Sequence, residues 1–288
     1  MKRGIILQNT KPFSQHFLWL SALYILGGSI ITLPSSNANR LTFLGFIIAY
    51  ILTVILTFAV LKINFLKYPV MLIALYSAGE VFVTFLNFIS KSLLKNRLNF
   101  FTALIFITLI LYFCFRKNRE ILNFSLVAGL LCAGLIIFFF FSTFKDFSFE
   151  NIYISSAPDI KGLFSQSLPY IKSVTLPAAV LALYAKQIKA SENAAIGGLA
   201  IGCGLLLLCI LNAVLLFGTS LSGELPFPFA AAISTVTFGR LFSRLDGFCY
   251  FIYLACALIK ITVCVFTVKF EVSKRNTVYR QKTPYPHG

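Results

Sequence analysis

Long runs of apolar residues, separated by short polar segments, dominate the chain. Eight such runs are present: Phe17–Pro34, Thr42–Leu61, Tyr68–Ser90, Asn99–Phe115, Ile121–Ser142, Leu168–Ala185, Ala194–Gly218 and Leu245–Val268. Each is about 17–25 residues long, which is the length an α-helix needs to cross a hydrocarbon core. None alternates apolar and polar residues as transmembrane β-strands do. The pattern predicts an all-α polytopic membrane protein with about eight transmembrane helices.

The predicted bundle forms one domain, residues 17–269, between two basic ends. The segment 1–16 is polar, and the tail 270–288 is polar, basic and expected to be flexible. Because more spans follow the first run, we interpret that run as a membrane helix and not as a cleaved signal peptide.

One connecting segment, Thr219–Arg244, is apolar enough to enter the membrane. Pro226 and Pro228 lack the backbone N–H that a helix interior needs, so they prevent a regular helix at the start of the segment. We expect a re-entrant or interfacial segment whose backbone is shielded by the rest of the protein.

The distribution of basic residues predicts the orientation. With a cytoplasmic N-terminus, 15 of the 25 Lys and Arg residues fall in inner segments and 8 in outer ones, while Lys172 and Lys260 lie within spans. Cytoplasmic loops of membrane proteins carry such an excess. Both termini of this multi-pass cell-membrane protein are therefore predicted to be cytoplasmic, and the long loop Thr143–Ser167 is predicted to lie outside.

The composition agrees with a membrane protein. Hydrophobic residues make up 58% of the 288 residues, charged residues make up 12%, and the mean hydropathy is +0.87. A soluble domain has about 25% charged residues. The net charge of +16 would suggest nucleic-acid binding in a soluble protein. Here the basic residues lie at helix ends, where they orient the chain and contact anionic membrane lipid, so no nucleic-acid partner is expected.

The sequence offers little for catalysis or metal binding. The seven cysteines fall inside apolar runs, form no Cys-x-x-Cys pair and are predicted to be small packing residues. The two histidines, His16 and His287, lie near the termini, and no HExxH, GxSxG or glycine-rich phosphate loop is present. We expect no enzyme, no metal site and no cofactor.

Gly27, Gly28 and Ser29 lie in the middle of the first span, in the stretch LGGSIITLP. Glycine lets a helix unwind, and an unwound turn exposes N–H and C=O groups that can hold the carboxylate and ammonium of a small zwitterion. On this interpretation Thr32 is also a candidate ligand-binding residue. Alternatively, the glycines only allow close helix packing.

The sixth span carries a second interruption. Pro177 removes a backbone donor and kinks or breaks the helix, and Ser173 and Thr175 could satisfy the freed groups. Paired helix breaks of this kind are typical of transporter folds built from inverted repeats, with a binding site near the bilayer midplane. Ser173 and Thr175 are therefore predicted to be ligand-binding residues. A proline kink without a ligand is the alternative.

Two ionisable residues lie deep in predicted spans, Glu80 in the third and Lys260 in the eighth. A charge at the centre of a bilayer costs about 3 kcal/mol or more, so both should face the bundle interior. They could couple protons or contact the ligand, or they could form a structural ion pair with each other. Lys260 could also extend its aliphatic stem toward the interface.

Two segments resemble the B-subunit family of endospore germinant receptors, a branch of the amino acid permease superfamily. GGSIITLP at residues 27–34 is similar to the family's first helix. LPFPFAAAISTVTFGRLFSRLDGF at residues 225–248 is similar to the segment that leads into the family's helix eight, and Arg244, Leu245, Asp246 and Gly247 match residue by residue. The resemblance extends over roughly Leu20–Val268.

The resemblance implies two inverted repeats of about five helices each, with a ligand zone at Gly27, Gly28, Ser29 and the break in span six. It also implies a spore inner-membrane subunit that senses small nutrients, typically amino acids, together with A- and C-type partner subunits. This chain departs from the family in having about eight spans, so that its second repeat is shortened at the C-terminus. It also carries Lys186 and Lys189 where a carboxylate is expected.

The sequence therefore supports three hypotheses. The first is a germinant receptor subunit that senses an amino acid and acts in spore germination. The second is an amino acid permease driven by protons, with Glu80 as the proton carrier. The third is a shortened relative that has only a scaffolding role.

Overall fold

The structure, a computed structural model, describes residues 10–32, 42–63, 67–92, 100–152, 164, 167–235 and 246–282. These residues form helices and turns, with no β-strand among them. The α-helices are α1 Thr10–Leu26, α2 Ser29–Thr32, α3 Thr42–Lys62, α4 Lys67–Ser92, α5 Phe100–Phe115, α6 Asn118–Ser142, α7 Leu176–Gln187, α8 Glu192–Glu224, α9 Pro228–Ser234 and α10 Asp246–Lys282. Two 3₁₀ turns, Phe144–Asp146 and Phe149–Ile152, follow α6, and a π-helical turn, Ile171–Thr175, leads directly into α7.

Six helical segments of the described chain are long and apolar enough to cross a membrane. They are Phe43–Lys62, Lys67–Ser92, Asn118–Ser142, Ser167–Gln187, Glu192–Gly218 and Gly247–Ser273. Each matches one of the apolar runs in the sequence, so the prediction of an all-helical chain suited to a membrane is confirmed at this level.

The other two predicted spans correspond to shorter helices. α1 has 17 residues and stops at Leu26, and α5 has 16 residues. A helix of 16 residues is about 24 Å long, which is less than a hydrocarbon core of about 30 Å. The predicted number of eight spans is therefore not confirmed, and for the first run the physical reason is the helix break at Gly27 and Gly28.

The helices differ in how far the protein buries them. In the most apolar stretch of Gly247–Ser273, 72% of the residues are buried, compared with 28% in Lys67–Ser92. α1 packs against α6, α8 and α10, and large apolar side chains on α3, α4 and α5 are exposed. The first and last helices are thus central, while exposed apolar faces of the outer helices suit contact with lipid.

A seam of small residues brings α8 close to α1. A Cβ atom at Gly198 would lie 2.4 Å from the Leu18 carbonyl oxygen, and one at Gly202 would lie 2.8 Å from the Ala22 carbonyl oxygen. Both distances are shorter than the normal contact between a carbon and an oxygen atom, so a larger residue would not fit at either position. The backbones of α1 and α8 therefore pack closely through small residues, as is common between membrane helices.

The predicted end of the seventh span at Gly218 coincides with a kink in α8, where Gly218 has φ 74 and ψ 170 and the segment suited to crossing a membrane ends. Beyond the kink, α8 continues to Glu224, in the segment from Thr219 onward that was expected to connect two spans. The Leu215 carbonyl near the kink accepts hydrogen bonds from the Ser148 backbone N–H (3.0 Å) and the Asn151 side-chain amide (3.1 Å), which satisfy it in place of helical donors. α10 continues to Lys282, so residues 270–282 are helical where a flexible tail was expected.

The proline-rich segment after α8 contains the short helix α9, with Pro228 in its first turn. Proline is tolerated there because that N–H has no helical acceptor. The later part of the predicted motif at residues 225–248, including Arg244 and Leu245, lies mostly outside the residues that the structure describes.

The seven cysteines all lie in the described part of the chain, and none of them is in a disulfide there. Six are buried in the bundle, and Cys114 is half-buried. Among the described residues, no group of His, Cys, Asp and Glu side chains is arranged to hold a metal ion.

Candidate functional site

The first interruption lies between α1 and α2. α1 ends at Leu26, a turn at Gly27 and Gly28 follows, and helix resumes at Ser29. Gly28 has φ +78, in the left-handed region that side chains with a Cβ rarely adopt. The sequence-based prediction of a break at the paired glycines is confirmed.

The second interruption is the π-helical turn Ile171–Thr175, just before Pro177. In a regular helix the N–H of residue 177 would donate to the carbonyl of Ser173, but proline has no N–H. The π-turn widens the helix at this point. The Ser173 carbonyl therefore loses the donor that a regular α-helix would supply.

The two interruptions meet at this carbonyl. The Ser29 hydroxyl donates a hydrogen bond to the Ser173 carbonyl oxygen at 2.9 Å, and the Lys260 ammonium donates one to the same oxygen at 3.2 Å. Ser29 is fully buried, and Lys260 is only 2% exposed. A hydroxyl from the first break and a cation from α10 thus replace the N–H that Pro177 lacks.

The Lys260 ammonium also contacts the Tyr24 ring and interacts through charge with the Glu80 carboxylate. It lies 5.7 Å from the centre of the Tyr24 ring, a cation–π contact, and the Tyr24 hydroxyl donates to the Pro177 carbonyl at 3.0 Å. An ammonium has three N–H donors. Among the described residues, the Lys260 ammonium donates one hydrogen bond, to the Ser173 carbonyl. The arrangement leaves it capacity to bind an anion.

Gly27 makes this arrangement possible by close packing. A Cβ atom there would lie 2.6 Å from the Cys256 carbonyl oxygen and 2.7 Å from Cβ of Lys260. The packing interpretation of the glycine pair and the helix-break interpretation are therefore both realised, one at Gly27 and the other at Gly28.

Not all the predicted site residues point to this junction. The Ser173 hydroxyl donates to the Pro169 carbonyl within its own helix at 2.8 Å, so Ser173 contributes its backbone. Thr175 faces α3, where its hydroxyl lies 3.1 Å from the Ala49 carbonyl oxygen and 2.9 Å from the Thr53 hydroxyl. The side chain of Thr32 lies outside the described residues.

Glu80 has a different partner from the one weighed in the sequence. Its carboxylate lies 3.2 Å from the Lys172 ammonium, which is also 5.6 Å from the centre of the Tyr76 ring. The side chains of Lys172 and Glu80 are 54% and 33% exposed, so this ion pair lies at the bundle surface.

Sequence reasoning missed Tyr24, whose ring and hydroxyl contact both Lys260 and the second interruption. Tyr24 had no signal in the sequence, because both of these contacts are with residues of other helices. The Lys172 partner of Glu80 had one, since Lys172 is one of the two lysines that lie within predicted spans.

Comparison of the chain with models of known protein families, with curated proteins and with solved structures gave no significant match.

Proposed function

We propose that this protein is a membrane receptor subunit that binds a small zwitterion, such as an amino acid, where its two interrupted helices meet. The observation that carries the proposal is the Ser173 carbonyl, which accepts hydrogen bonds from both Ser29 and the buried Lys260. Interrupted helices that meet inside a membrane bundle are a common way to build a site for small polar solutes.

The buried ammonium provides the chemistry for recognising a carboxylate. An uncompensated charge within a membrane span costs about 3 kcal/mol or more. A ligand carboxylate at Lys260 would compensate that charge through a charge-assisted hydrogen bond. Because Lys260 also holds the Ser173 carbonyl, ligand binding would change the contact between the two interruptions and shift the bundle between two states.

The resemblance at residues 27–34 and 225–248 supports a more specific assignment. We propose that the chain is the B-type subunit of a spore germinant receptor in the spore inner membrane, with A- and C-type subunits as partners. This assignment includes an inverted repeat with about eight membrane helices in the chain. Co-purification of A- and C-type subunits with the tagged chain would support it. Spores that lack the chain and still germinate normally in every nutrient would refute it.

The binding proposal is tested by thermal unfolding of the purified full chain with a panel of amino acids. A ligand at about 100 times its dissociation constant adds about 2.7 kcal/mol of stability, which raises the melting temperature. We expect at least one amino acid to stabilise the wild type, the Lys260→Met variant to lose the response, and the Lys172→Met variant to keep it.

Lys172 is a suitable control because its side chain is 54% exposed and its ammonium pairs with Glu80 instead of Ser173. Equal responses of the wild type and the Lys260→Met variant would refute a site at Lys260. A panel without any stabilising amino acid would refute the zwitterion ligand.

A second candidate function is a proton-coupled amino acid permease, and the ion pair between Glu80 and Lys172 favours it. Protonation of Glu80 would break this pair, which joins α4 to the π-helical turn of the second interruption. A proton could thereby change the same junction that the ligand contacts.

The permease function is tested in proteoliposomes. We expect uptake of a radiolabelled amino acid to rise with an inward proton gradient, and the Glu80→Gln variant to lose this dependence. Absence of uptake under every gradient, combined with binding of the ligand, would leave the receptor function and remove the permease.

A further inference from the structure

A basic cleft of about 610 Å³ opens at one end of the bundle, away from Lys260. Three elements form its walls: the start of α4, the end of α7 and the C-terminal part of α10. Its lining residues include Lys67, Lys186, Gln187, Lys189, Phe270 and Glu271. The cleft lies where helices suited to crossing a membrane end, which is the depth of lipid headgroups.

The cleft carries an excess of positive charge. Three of its lining residues are lysines and one is acidic, Glu271. This carboxylate accepts a hydrogen bond from the Gln187 side-chain amide at 3.2 Å, and the same amide donates to the Thr267 carbonyl at 3.1 Å. The hydrogen-bond partner of Glu271 in the cleft wall is thus the neutral Gln187.

One of the three lysines is fixed by the fold. The Lys186 ammonium donates to the Leu61 carbonyl at 3.0 Å, at the C-terminal end of α3. That helix end carries partial negative charge from carbonyls without helical donors, so a cation is stabilised there. The fold thus fixes the position of the Lys186 side chain in the wall of the cleft.

Lys189 has a left-handed backbone conformation, which favours glycine. It has φ +54, and the Ala190 N–H beyond it donates to the Ala185 carbonyl at 2.9 Å, which closes the end of α7. Glycine normally occupies the left-handed residue of such a helix end. A lysine at this site places an exposed ammonium at the cleft despite the strained backbone.

We propose that this cleft binds a phosphate ester, with Lys67, Lys186 and Lys189 around the anion. The 45% exposed Phe270 beside the lysines provides apolar surface for the chain that such an ester carries. The phosphate could belong to the headgroup of an anionic phospholipid or to a soluble phosphate ester. This proposal is independent of the proposed function, because the polar groups of the cleft bond to Leu61, Thr267 and Glu271, whereas Ser29 and Lys260 donate to Ser173.

The test is native mass spectrometry of the full chain in detergent, titrated with phosphatidylglycerol or with phosphatidylcholine of the same acyl chains. We expect the anionic lipid to bind more tightly to the wild type. The Lys67→Gln/Lys189→Gln variant should bind it about tenfold more weakly, because each lysine near a membrane surface contributes measurably to binding anionic lipid. Glutamine keeps an unbranched polar side chain, one atom shorter than that of lysine, and removes the charge.

A matched control variant is Lys117→Gln/Arg119→Gln. Both residues are exposed, lie outside the cleft and are predicted to be on the same, cytoplasmic side of the membrane as the cleft lysines. We expect this variant to bind like the wild type. Weakening equal to that of the cleft variant would overturn the proposal, and so would equal binding of both lipids by the wild type. Circular dichroism and size-exclusion profiles verify that both variants fold.

A competition experiment identifies the source of the phosphate. Excess glycerol phosphate is added to the complex with phosphatidylglycerol. If the lipid stays bound, the site is a lipid headgroup site. If the lipid is displaced from the wild type, the site takes soluble phosphate esters. If neither ligand binds in a way that depends on the cleft lysines, the proposal is wrong.

Discussion

At the scale of single residues, the Ser173 carbonyl decides how the two interruptions are joined. Pro177 deprives it of a helical donor, and inside a membrane a carbonyl without a donor is costly because no water can replace it. Ser29 and Lys260 supply the missing hydrogen bonds at 2.9 and 3.2 Å. The proline thus creates a requirement that residues distant in sequence satisfy.

Two serine variants test this account. Ser29→Ala removes a donor from the junction and should lower the free energy of unfolding by about 1 kcal/mol. Ser173→Ala should change it by less than about 0.5 kcal/mol, because its hydroxyl bonds only within its own helix and its carbonyl is retained. Reversible unfolding in mixed detergent micelles measures both. A larger loss in Ser173→Ala than in Ser29→Ala would contradict the assignment.

At the scale of elements, the bundle contains helices whose irregularities have identifiable local causes. The left-handed Gly28 separates α1 from α2, Pro177 follows the π-helical turn, and Gly218 kinks α8. Each freed carbonyl described at the second interruption and at the α8 kink has a substitute donor. Irregular backbone is therefore tolerated where neighbouring helices satisfy it.

A pair of glycine variants tests the break in the first helix. Gly28→Ala should destabilise the protein by about 1–2 kcal/mol, because alanine is strained in the left-handed region. Its Cβ would also lie 2.9 Å from a methyl group of Val81. Gly79→Ala, in the middle of α4, meets no atom within 4 Å and should be neutral or stabilising by up to about 1 kcal/mol. Equal thermal stabilities of the two variants would contradict the prediction that position 28 requires glycine.

At the scale of the whole molecule, the basic residues predict that both termini are cytoplasmic. Single cysteines introduced by K117C and K145C test this orientation in a Cys114→Ala background, since the six remaining native thiols are buried. A membrane-impermeant maleimide added to intact cells should label position 145 and reach position 117 only after permeabilisation. The reverse labelling pattern would invert the predicted topology.

Part of the candidate site could be predicted from sequence. Gly27, Gly28 and Pro177 have unusual backbone properties, and these act within a few residues of each glycine or proline. The sequence could not predict that Glu80 pairs with Lys172 or that Thr175 faces α3. Those outcomes depend on how each helix is rotated about its axis, and a span that is apolar on all sides carries little information about that rotation.

The amino-acid sequence by itself determined that the chain forms apolar helices and where two of them are interrupted. It did so because lipid requires backbone hydrogen bonds to be made within a segment, and glycine and proline change that local pattern wherever they occur. Only the tertiary structure decided that Lys260, 87 residues along the chain from Ser173, completes the second interruption. Such a contact depends on helix packing, which many weak interactions between distant residues set together.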